Sequence, residues 1–239
     1  MSIYIIADLH LSLNNPKPMN IFGNNWENHE EKIKKDWLKK VKEDDTVLLL
    51  GDFSWEMHLR DTVKDFEYLN NLPGKKIMLR GNHDYWWTTK AKMESFLKDN
   101  NIKNIDFLQN NSIEVEDKII CGTRGWTLSN TDTENSRKMI SRECIRLELS
   151  IKDAISKCKE GQEVIVCMHY PPIIKSNILE NELTEFIRIM KKYDIKRCFY
   201  GHLHGTSINE AVRGNVWGIN MELVSADGLN FKLFNLDEK

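Results

Sequence analysis

Side chains that can bind metal ions follow several short apolar segments of the sequence. Asp8 and His10 come directly after the first such segment, and Asp52 comes after the second. Imidazole, carboxylate and amide groups without thiolates suit Mn²⁺, Fe or Zn²⁺ and leave positions open for water and substrate. The donor residues that follow apolar segments are Asp8, His10, Asp52, Asn82, His83, Asp84, His169, His202 and His204. Their types and placement predict a metal centre that activates water.

The spacing of these residues favours shared ligation. Asp8 and His10 are separated by one residue, as are His202 and His204. Alternate side chains of an extended chain lie on the same face, so each pair is able to approach one ion. Asp52 is a single carboxylate after its own apolar segment, which suits it to bridge two ions.

The segments that precede these residues have the length and β-branched content of strands, and amphipathic helical segments alternate with them. The predicted strands are Ser2–Ala7, Thr46–Leu50, Lys76–Leu79, Ile113–Val115, Lys118–Cys121, Glu163–Met168, Arg197–Tyr200, Ser207–Val212 and Leu229–Phe234. The predicted helices are His29–Lys42, Arg60–Asn70, Thr88–Asn100, Thr133–Lys159 and Glu182–Lys192. This alternation is typical of an α/β domain. Ligand sites of open α/β sheets lie beyond the carboxyl ends of the strands, where we expect these donor groups to converge.

The bulk composition argues against several classes of function. The 239 residues carry a formal net charge of −2, which provides no overall basic field for nucleic acid or an anionic membrane. No apolar run approaches the roughly 20 residues that span a bilayer, and the N-terminus lacks the pattern of a signal peptide. The five cysteines are scattered and odd in number, which favours a reducing interior. We therefore expect a cytoplasmic protein with one domain over residues 1–239.

Five blocks of the sequence, in the usual order, resemble the calcineurin-like metallophosphoesterase family. They are Asp8-x-His10, Gly51-Asp52, Gly81-Asn82-His83-Asp84, His169 and Gly201-His202-x-His204. One block has little specificity, whereas all five in order span most of the chain. The resemblance implies a four-layer α/β/β/α sandwich with a dimetal site at the carboxyl ends of its strands. It assigns Asp8, His10, Asp52 and His204 to one ion, and Asp52, Asn82, His169 and His202 to the other.

The resemblance also implies a reaction, the hydrolysis of a small-molecule phosphoester. Two ions about 3.5–4 Å apart generate a bridging hydroxide that attacks phosphorus, and they offset the charge that builds up. The leaving alkoxide needs a proton, and His83 is the best candidate because it neighbours the ligand Asn82 without being a ligand itself. Asp84 is expected to accept a hydrogen bond from the His83 imidazole and fix its orientation.

Further residues are candidates for contact with substrate. Arg124 follows a predicted strand, where its guanidinium would bind phosphate oxygens or tie down its own glycine-containing loop. Trp55 and His58 follow Asp52 closely enough to approach the rim of the site. Tyr85, with Trp86 and Trp87 after it, would wall a base or sugar by stacking, although a tryptophan pair is more often part of a core.

Several alternatives remain open at this point. The same dimetal site serves nucleases and hydrolases of lipid-linked nucleotide sugars. A nuclease would ordinarily have a basic groove, and a lipid substrate would call for an exposed apolar cap. The retromer subunit has this fold but acts as a scaffold, which is disfavoured here because every ligand and His83 are present. The block from Met19 to Trp26 resembles a subgroup of predicted bacterial phosphohydrolases. The residues do not distinguish phosphomonoesters from phosphodiesters and do not indicate an oligomeric state.

Overall fold

The computed structural model describes residues 1–128, 133–180 and 182–237. Two compact units make up the chain: the first unit comprises Met1–Phe107 with Val224–Lys239, and the second unit comprises Leu108–Leu223. Each contains a multistranded sheet and helices, which confirms the predicted α/β class. The single domain predicted for residues 1–239 stays a prediction.

The sheet of the first unit places several strand ends along one edge. Its five strands lie in the order β11-β1-β2-β3-β4. They are β1 (Ile3–Ile6), β2 (Thr46–Leu50), β3 (Lys75–Leu79), β4 (Ile105–Leu108) and β11 (Phe234–Asn235). Strands β1, β2 and β3 are parallel, with Ile3 paired to Thr46 and Thr46 paired to Lys75. Since parallel strands end at the same edge, the residues after β1, β2 and β3 emerge side by side.

Three helices cover apolar surface in the first unit. They are α1 (His29–Lys40), α2 (Val63–Asn70) and α3 (Lys90–Asp99). Helix α1 buries Ile33 and Trp37, while its charged side chains are exposed or half-buried, as its sequence period predicts. Trp86 and Trp87 are also buried in the core of this unit. The stacking role considered for these two tryptophans is therefore wrong, and their rings stabilise the fold.

The sheet of the second unit repeats the arrangement of parallel strand ends. Its six strands lie in the order β5-β6-β7-β8-β10-β9. They are β5 (Ser112–Val115), β6 (Lys118–Thr123), β7 (Glu163–Met168), β8 (Arg197–Tyr200), β9 (Gly214–Val216) and β10 (Ile219–Leu223). Strands β6, β7, β8 and β10 are parallel, while β5 and β9 run antiparallel to their neighbours at the two edges.

The helices of the second unit are α4 (Glu134–Lys157), α5 (Lys175–Leu179) and α6 (Glu185–Lys192). Helix α4 begins at the N-cap Thr133, whose side chain accepts a hydrogen bond from the Ser136 N–H. Its apolar stripe is buried at Leu147 and Ile151. Among the helices of the described residues, none combines the length and the apolar character needed to cross a membrane.

Two predicted strands are wrong, and local hydrogen bonding explains the first. Ser207–Val212 was expected as a strand, but Gly205–Glu210 forms a 3₁₀ helix. The Ser207 hydroxyl accepts from the His204 N–H and donates to the His204 carbonyl, which closes a turn in place of a sheet ladder. Leu229–Phe234 was also expected as a strand, but it turns through residues with positive φ and joins the sheet only at Phe234.

Candidate metal centre

Three predicted ligands meet in the first unit, beyond the carboxyl ends of β1 and β2. A carboxylate oxygen of Asp8 lies within 4.8 Å of a ring nitrogen of His10 and within 4.8 Å of a carboxylate oxygen of Asp52. His10 Nε2 lies 3.8 Å from Asp52 Oδ2. Two ligand atoms each about 2.1 Å from one ion lie up to about 4.2 Å apart. The 3.8 Å between His10 and Asp52 falls inside this limit, and Asp8 lies close enough to both for the three side chains to form a candidate cation site.

Backbone hydrogen bonds bring these side chains together by joining the segments that follow β1 and β2. The N–H groups of Asp8 and His10 donate to the carbonyls of Gly51 and Asp52, both at 2.9 Å. Leu11 continues the pairing by donating to a carbonyl of the second segment, also at 2.9 Å. The extension of the two strands thus determines where the ligand side chains lie.

The backbone is strained at the ligand positions. Asp8, His10 and Asp52 in the first unit have φ values of 63°, 47° and 52°, and His202 in the second unit has a φ of 73°. This left-handed region is uncommon for residues other than glycine, and each such residue costs about 1–3 kcal/mol. Strain of this kind persists where function requires a particular side-chain direction. Nine further non-glycine residues among those described also have positive φ, so this conformation accompanies four of the predicted ligands without being specific to them.

Gly81 permits a close approach to the carboxylate of Asp52. A Cβ atom at Gly81 would lie 2.1 Å from Asp52 Oδ1 and 2.2 Å from the Asp52 backbone nitrogen, so no side chain fits there. The next residue, Asn82, is half-buried. The glycine therefore allows the segment after β3 to reach Asp52.

The side chain of Asp84 connects the segment after β2 with the segment after β3. Its side chain is fully buried, and its two carboxylate oxygens accept hydrogen bonds from both the segment after β2 and the segment after β3. The donors are the backbone N–H groups of Asp52 (2.9 Å), Phe53 (2.9 Å), Ser54 (3.3 Å) and Gly81 (2.7 Å) and the Trp86 indole N–H (3.1 Å). The role expected for Asp84 in orienting His83 stays a prediction, and the sequence holds no signal for this amide network.

Substitution of Asp84 by asparagine tests the network. Asp84→Asn would direct an amide N–H₂ at backbone donors and remove the charge that strengthens the remaining hydrogen bonds. We expect the free energy of unfolding to fall by about 2–4 kcal/mol in equilibrium denaturation by urea. The exposed Asp44 supplies the control substitution, Asp44→Asn, which is expected to change stability by less than about 0.5 kcal/mol. Equal, small effects of the two substitutions would contradict a structural role for Asp84.

His83 lies next to the carboxylate of Asp52, the proposed bridging ligand. Its backbone N–H donates to Asp52 Oδ1 at 2.7 Å, and its Nε2 lies 4.0 Å from Asp52 Oδ2. Its imidazole is half-buried, and its Nδ1 lies 3.5 Å from the Tyr85 hydroxyl. The side chain is thus next to the proposed ligands while still accessible to a substrate.

The second unit brings together two further predicted ligands. The rings of His169, after β7, and His202, after β8, lie 5.2 Å apart and are nearly perpendicular, at 70°. The His169 carbonyl accepts a hydrogen bond from the Gly201 N–H at 3.0 Å, which fixes the two strand ends together. Tyr170 packs on the His202 ring at 4.1 Å. His204 is the N-cap of the 3₁₀ helix described above.

The Arg124 side chain contacts Glu143 and Trp126, two other residues of the second unit. One guanidinium nitrogen lies 3.9 Å from the Glu143 carboxylate, and the guanidinium carbon lies 4.9 Å from the centre of the Trp126 ring. Glu143 is fully buried and also accepts hydrogen bonds from Thr123 and Arg146. These contacts support the alternative in which Arg124 stabilises its loop, and contact with phosphate stays a prediction.

Two further candidates for substrate contact, Tyr85 and His58, are exposed. Tyr85 has its ring 6.0 Å from the His83 ring. His58 begins the 3₁₀ helix Leu59–Thr62, and its carbonyl accepts from the Asp61 N–H. Tyr85 is thereby placed beside a candidate catalytic group, whereas the position of His58 adds no support for substrate contact.

Sequence reasoning missed the groups that anchor the segment after His10. Asp65 accepts hydrogen bonds from the Leu13 N–H at 2.9 Å and from the Ser54 hydroxyl, and burial raises the pKa of Asp65 to about 6 although these bonds oppose the rise. Glu56 accepts from the backbone and side-chain amides of Asn15 at 3.1 and 2.8 Å. Both acids have apolar neighbours in sequence, Glu56 between Trp55 and Met57 and Asp65 beside Phe66, but neither belongs to a motif that signals a buried carboxylate.

The donor set of the first unit fits a divalent cation. Burying the carboxylates of Asp8 and Asp52 is unfavourable unless a cation or several hydrogen-bond donors compensate. The neighbouring imidazole of His10 adds the nitrogen ligand that Mn²⁺, Fe and Zn²⁺ accept. The three buried side chains therefore provide the oxygen and nitrogen ligands that such an ion binds.

A comparison with family models matches residues 1–206 to the model described as calcineurin-like phosphoesterase. Among curated proteins, the chain is similar to the gene 66 protein of Mycobacterium phage L5, with 28% identity over 81 residues. That match covers 34% of this chain, and the chain spans 39% of the length of that relative.

Two solved structures share the fold. Phosphopantetheinyl hydrolase from Mycobacterium tuberculosis aligns with a TM-score of 0.56 and 12% identity, covering 100% of this chain and 96% of that one. The protein TT1561 of Thermus thermophilus aligns with a TM-score of 0.58 and 12% identity, covering 98% and 96% of the two chains. At this level of identity the likeness describes the fold alone.

Proposed function

The chain belongs to the calcineurin-like phosphoesterase family, and we propose that it hydrolyses a small-molecule phosphoester at a centre of two divalent metal ions. Membership supports the assignment of the protein as a phosphoester hydrolase that depends on metal ions. The number of ions, their identity as Mn²⁺, Fe or Zn²⁺, and the roles of individual residues are the content of the proposal.

One observation carries the proposal for this chain. Asp8, His10 and Asp52 are buried together, with each pair of ligand atoms within 4.8 Å or less. Two carboxylates and an imidazole in this arrangement favour a cation over any other occupant. All three residues also have positive φ, a conformation that is uncommon for residues other than glycine.

The complete ligand assignment follows the family pattern. Asp8, His10, Asp52 and His204 are proposed for one ion, and Asp52, Asn82, His169 and His202 for the other. The geometry of the first unit supports Asp52 as the shared ligand, because its carboxylate lies close to Asp8 and His10 and also to His83, the residue next to Asn82. The pairing of His169 with His202 in the second unit supports their assignment to a common ion.

The proposed reaction assigns separate roles to the metal ions, to His83 and to Asp52. When bound, the two ions supply the Lewis acidity that activates water and offsets charge on the phosphoryl group. His83 Nε2 is proposed to donate a proton to the leaving oxygen as the bond between phosphorus and that oxygen breaks. Asp52 Oδ1 holds the His83 backbone in place, so the proton donor is positioned relative to the proposed bridging ligand.

Metal removal and substrate screening test the proposal. The protein as isolated would be analysed for metals, treated with a chelator, and assayed before and after addition of Mn²⁺, Fe²⁺ or Zn²⁺. The panel would contain phosphomonoesters, phosphodiesters, cyclic phosphates and a phosphopantetheinyl diester, since one protein of similar fold is named as a hydrolase of that group. We expect hydrolysis that disappears with the metal and returns with at least one ion. A protein that binds no metal and hydrolyses no member of the panel would refute the proposal.

A further inference from the structure

Trp55 connects two parts of the candidate site in the first unit. Its ring stacks on His10, with centroids 4.8 Å apart and planes inclined by 21°. The same ring lies 4.3 Å from the ring of His83. One indole therefore touches both a proposed metal ligand and the proposed proton donor.

Phe22 extends this aromatic surface outward. Its ring is 58% exposed and lies parallel to Trp55, with an interplanar angle of 6° and centroids 6.5 Å apart. Two hydrogen bonds hold the indole and its neighbours in place. The Trp55 indole N–H donates to Met19 Sδ at 3.2 Å, and Lys17 Nζ donates to the Trp55 carbonyl at 3.2 Å. Lys17 Nζ also lies 5.0 Å from the centre of the Trp55 ring.

Large apolar side chains are exposed on the segments that carry these rings. Ile21 is 73% exposed beside Phe22, Met57 is 55% exposed near Trp55, and Tyr85 is 50% exposed with its ring 6.0 Å from His83. Scattered apolar residues are ordinary on protein surfaces. An exposed apolar group that continues an ordered aromatic stack next to candidate catalytic residues is instead typical of a ligand-binding surface.

We propose that Phe22, Trp55 and Tyr85, with Lys17 at one side, form an aromatic leaving-group subsite that binds an aryl or heteroaryl ring of the phosphoester. The inference rests on the proposed function and deepens it. His83 is proposed to protonate the leaving oxygen, so that oxygen lies at His83 during the reaction. A ring bonded directly to the oxygen then falls beside Trp55 and Tyr85, the aromatic neighbours of His83. Lys17 adds a preference for rings that carry an anionic substituent.

Two esters that differ only in the shape of the leaving group test the subsite. One would have a phenol as its leaving group and the other a fluorinated alkyl alcohol of equal pKa. The two esters would then have similar intrinsic reactivity and differ mainly in the shape of the leaving group. We expect Phe22→Ala to lower kcat/KM about 3–10-fold for the aryl ester, because one aromatic contact is lost. For the fluoroalkyl ester, kcat/KM of the Phe22→Ala variant should equal that of the wild-type protein. Phe22→Tyr should preserve the aryl preference.

Leu38→Ala is the matched control, because Leu38 is a similarly exposed apolar residue on helix α1. It should change neither rate. Lys17→Ala should lower kcat/KM for a carboxyphenyl ester more than for the unsubstituted phenyl ester. An active enzyme in which Phe22→Ala affects the two leaving groups equally, or neither of them, would overturn the subsite and leave the proposed function intact. A wild-type protein that hydrolyses other members of the panel but not the aryl ester would also overturn the subsite, whereas one that binds no metal and hydrolyses no member of the panel would overturn both proposals.

Discussion

Asp52→Asn is expected to lower kcat/KM more than about 100-fold and to reduce the metal content of the purified protein. The replacement removes the charge of the proposed bridging ligand, and even the outer partners of metal ligands typically contribute about 10–100-fold to affinity or activity. Activity would be measured on the best substrate of the panel at saturating metal. Metal content would be measured by elemental analysis after dialysis.

The backbone at Asp52 makes this variant informative. Its φ of 52° suits asparagine, which enters the left-handed region more readily than most residues. The amide oxygen of asparagine is also able to accept the hydrogen bond that the His83 N–H now donates to Asp52 Oδ1. The fold should therefore survive, as checked by circular dichroism and urea denaturation. Retention of both metal and activity, at the level of the Asp44→Asn control, would remove Asp52 from the proposed centre.

His83→Ala is expected to retain the bound metal and lose a factor of about 10²–10⁴ in kcat for esters with poor leaving groups. The physical reason is that an alkoxide of high pKa leaves only when it is protonated. Esters of 4-nitrophenol need less help, so their rates should fall much less. The measurement is a plot of log kcat against leaving-group pKa, which should become steeper in the variant.

A second substitution separates acid catalysis from positioning. His83→Gln keeps a polar side chain at this half-buried position but has no proton to donate at neutral pH, so it should behave like His83→Ala. Loss of metal in both variants would indicate that His83 acts structurally, through its contacts with Asp52. Equal losses for good and poor leaving groups would contradict the role of proton donor.

The sequence by itself determined which residues are proposed to carry the chemistry and the strands that they follow. β2, β7 and β8 were predicted with their observed bounds, Thr46–Leu50, Glu163–Met168 and Arg197–Tyr200, because buried strands of parallel sheets are continuous apolar runs between polar residues. The family blocks lie beyond those ends, and a comparison of residues 1–206 confirmed the family. Local pattern is sufficient for such features because each depends on neighbours along the chain.

The tertiary structure decided what depends on residues far apart in sequence. The carboxylate of Asp84 accepts hydrogen bonds from backbone N–H groups more than 30 residues away in sequence, and no local sequence pattern predicts these hydrogen bonds. Glycine at position 81 is required because Asp52 approaches it in space. Trp55 and Trp86 both follow a predicted ligand block closely. The Trp55 ring lies against His10 and His83, whereas the Trp86 ring is buried in the core. Residue type and spacing therefore identified the proposed ligands, whereas packing between distant segments determined which carboxylate accepts hydrogen bonds from backbone amides and which tryptophan ring lies beside the proposed site.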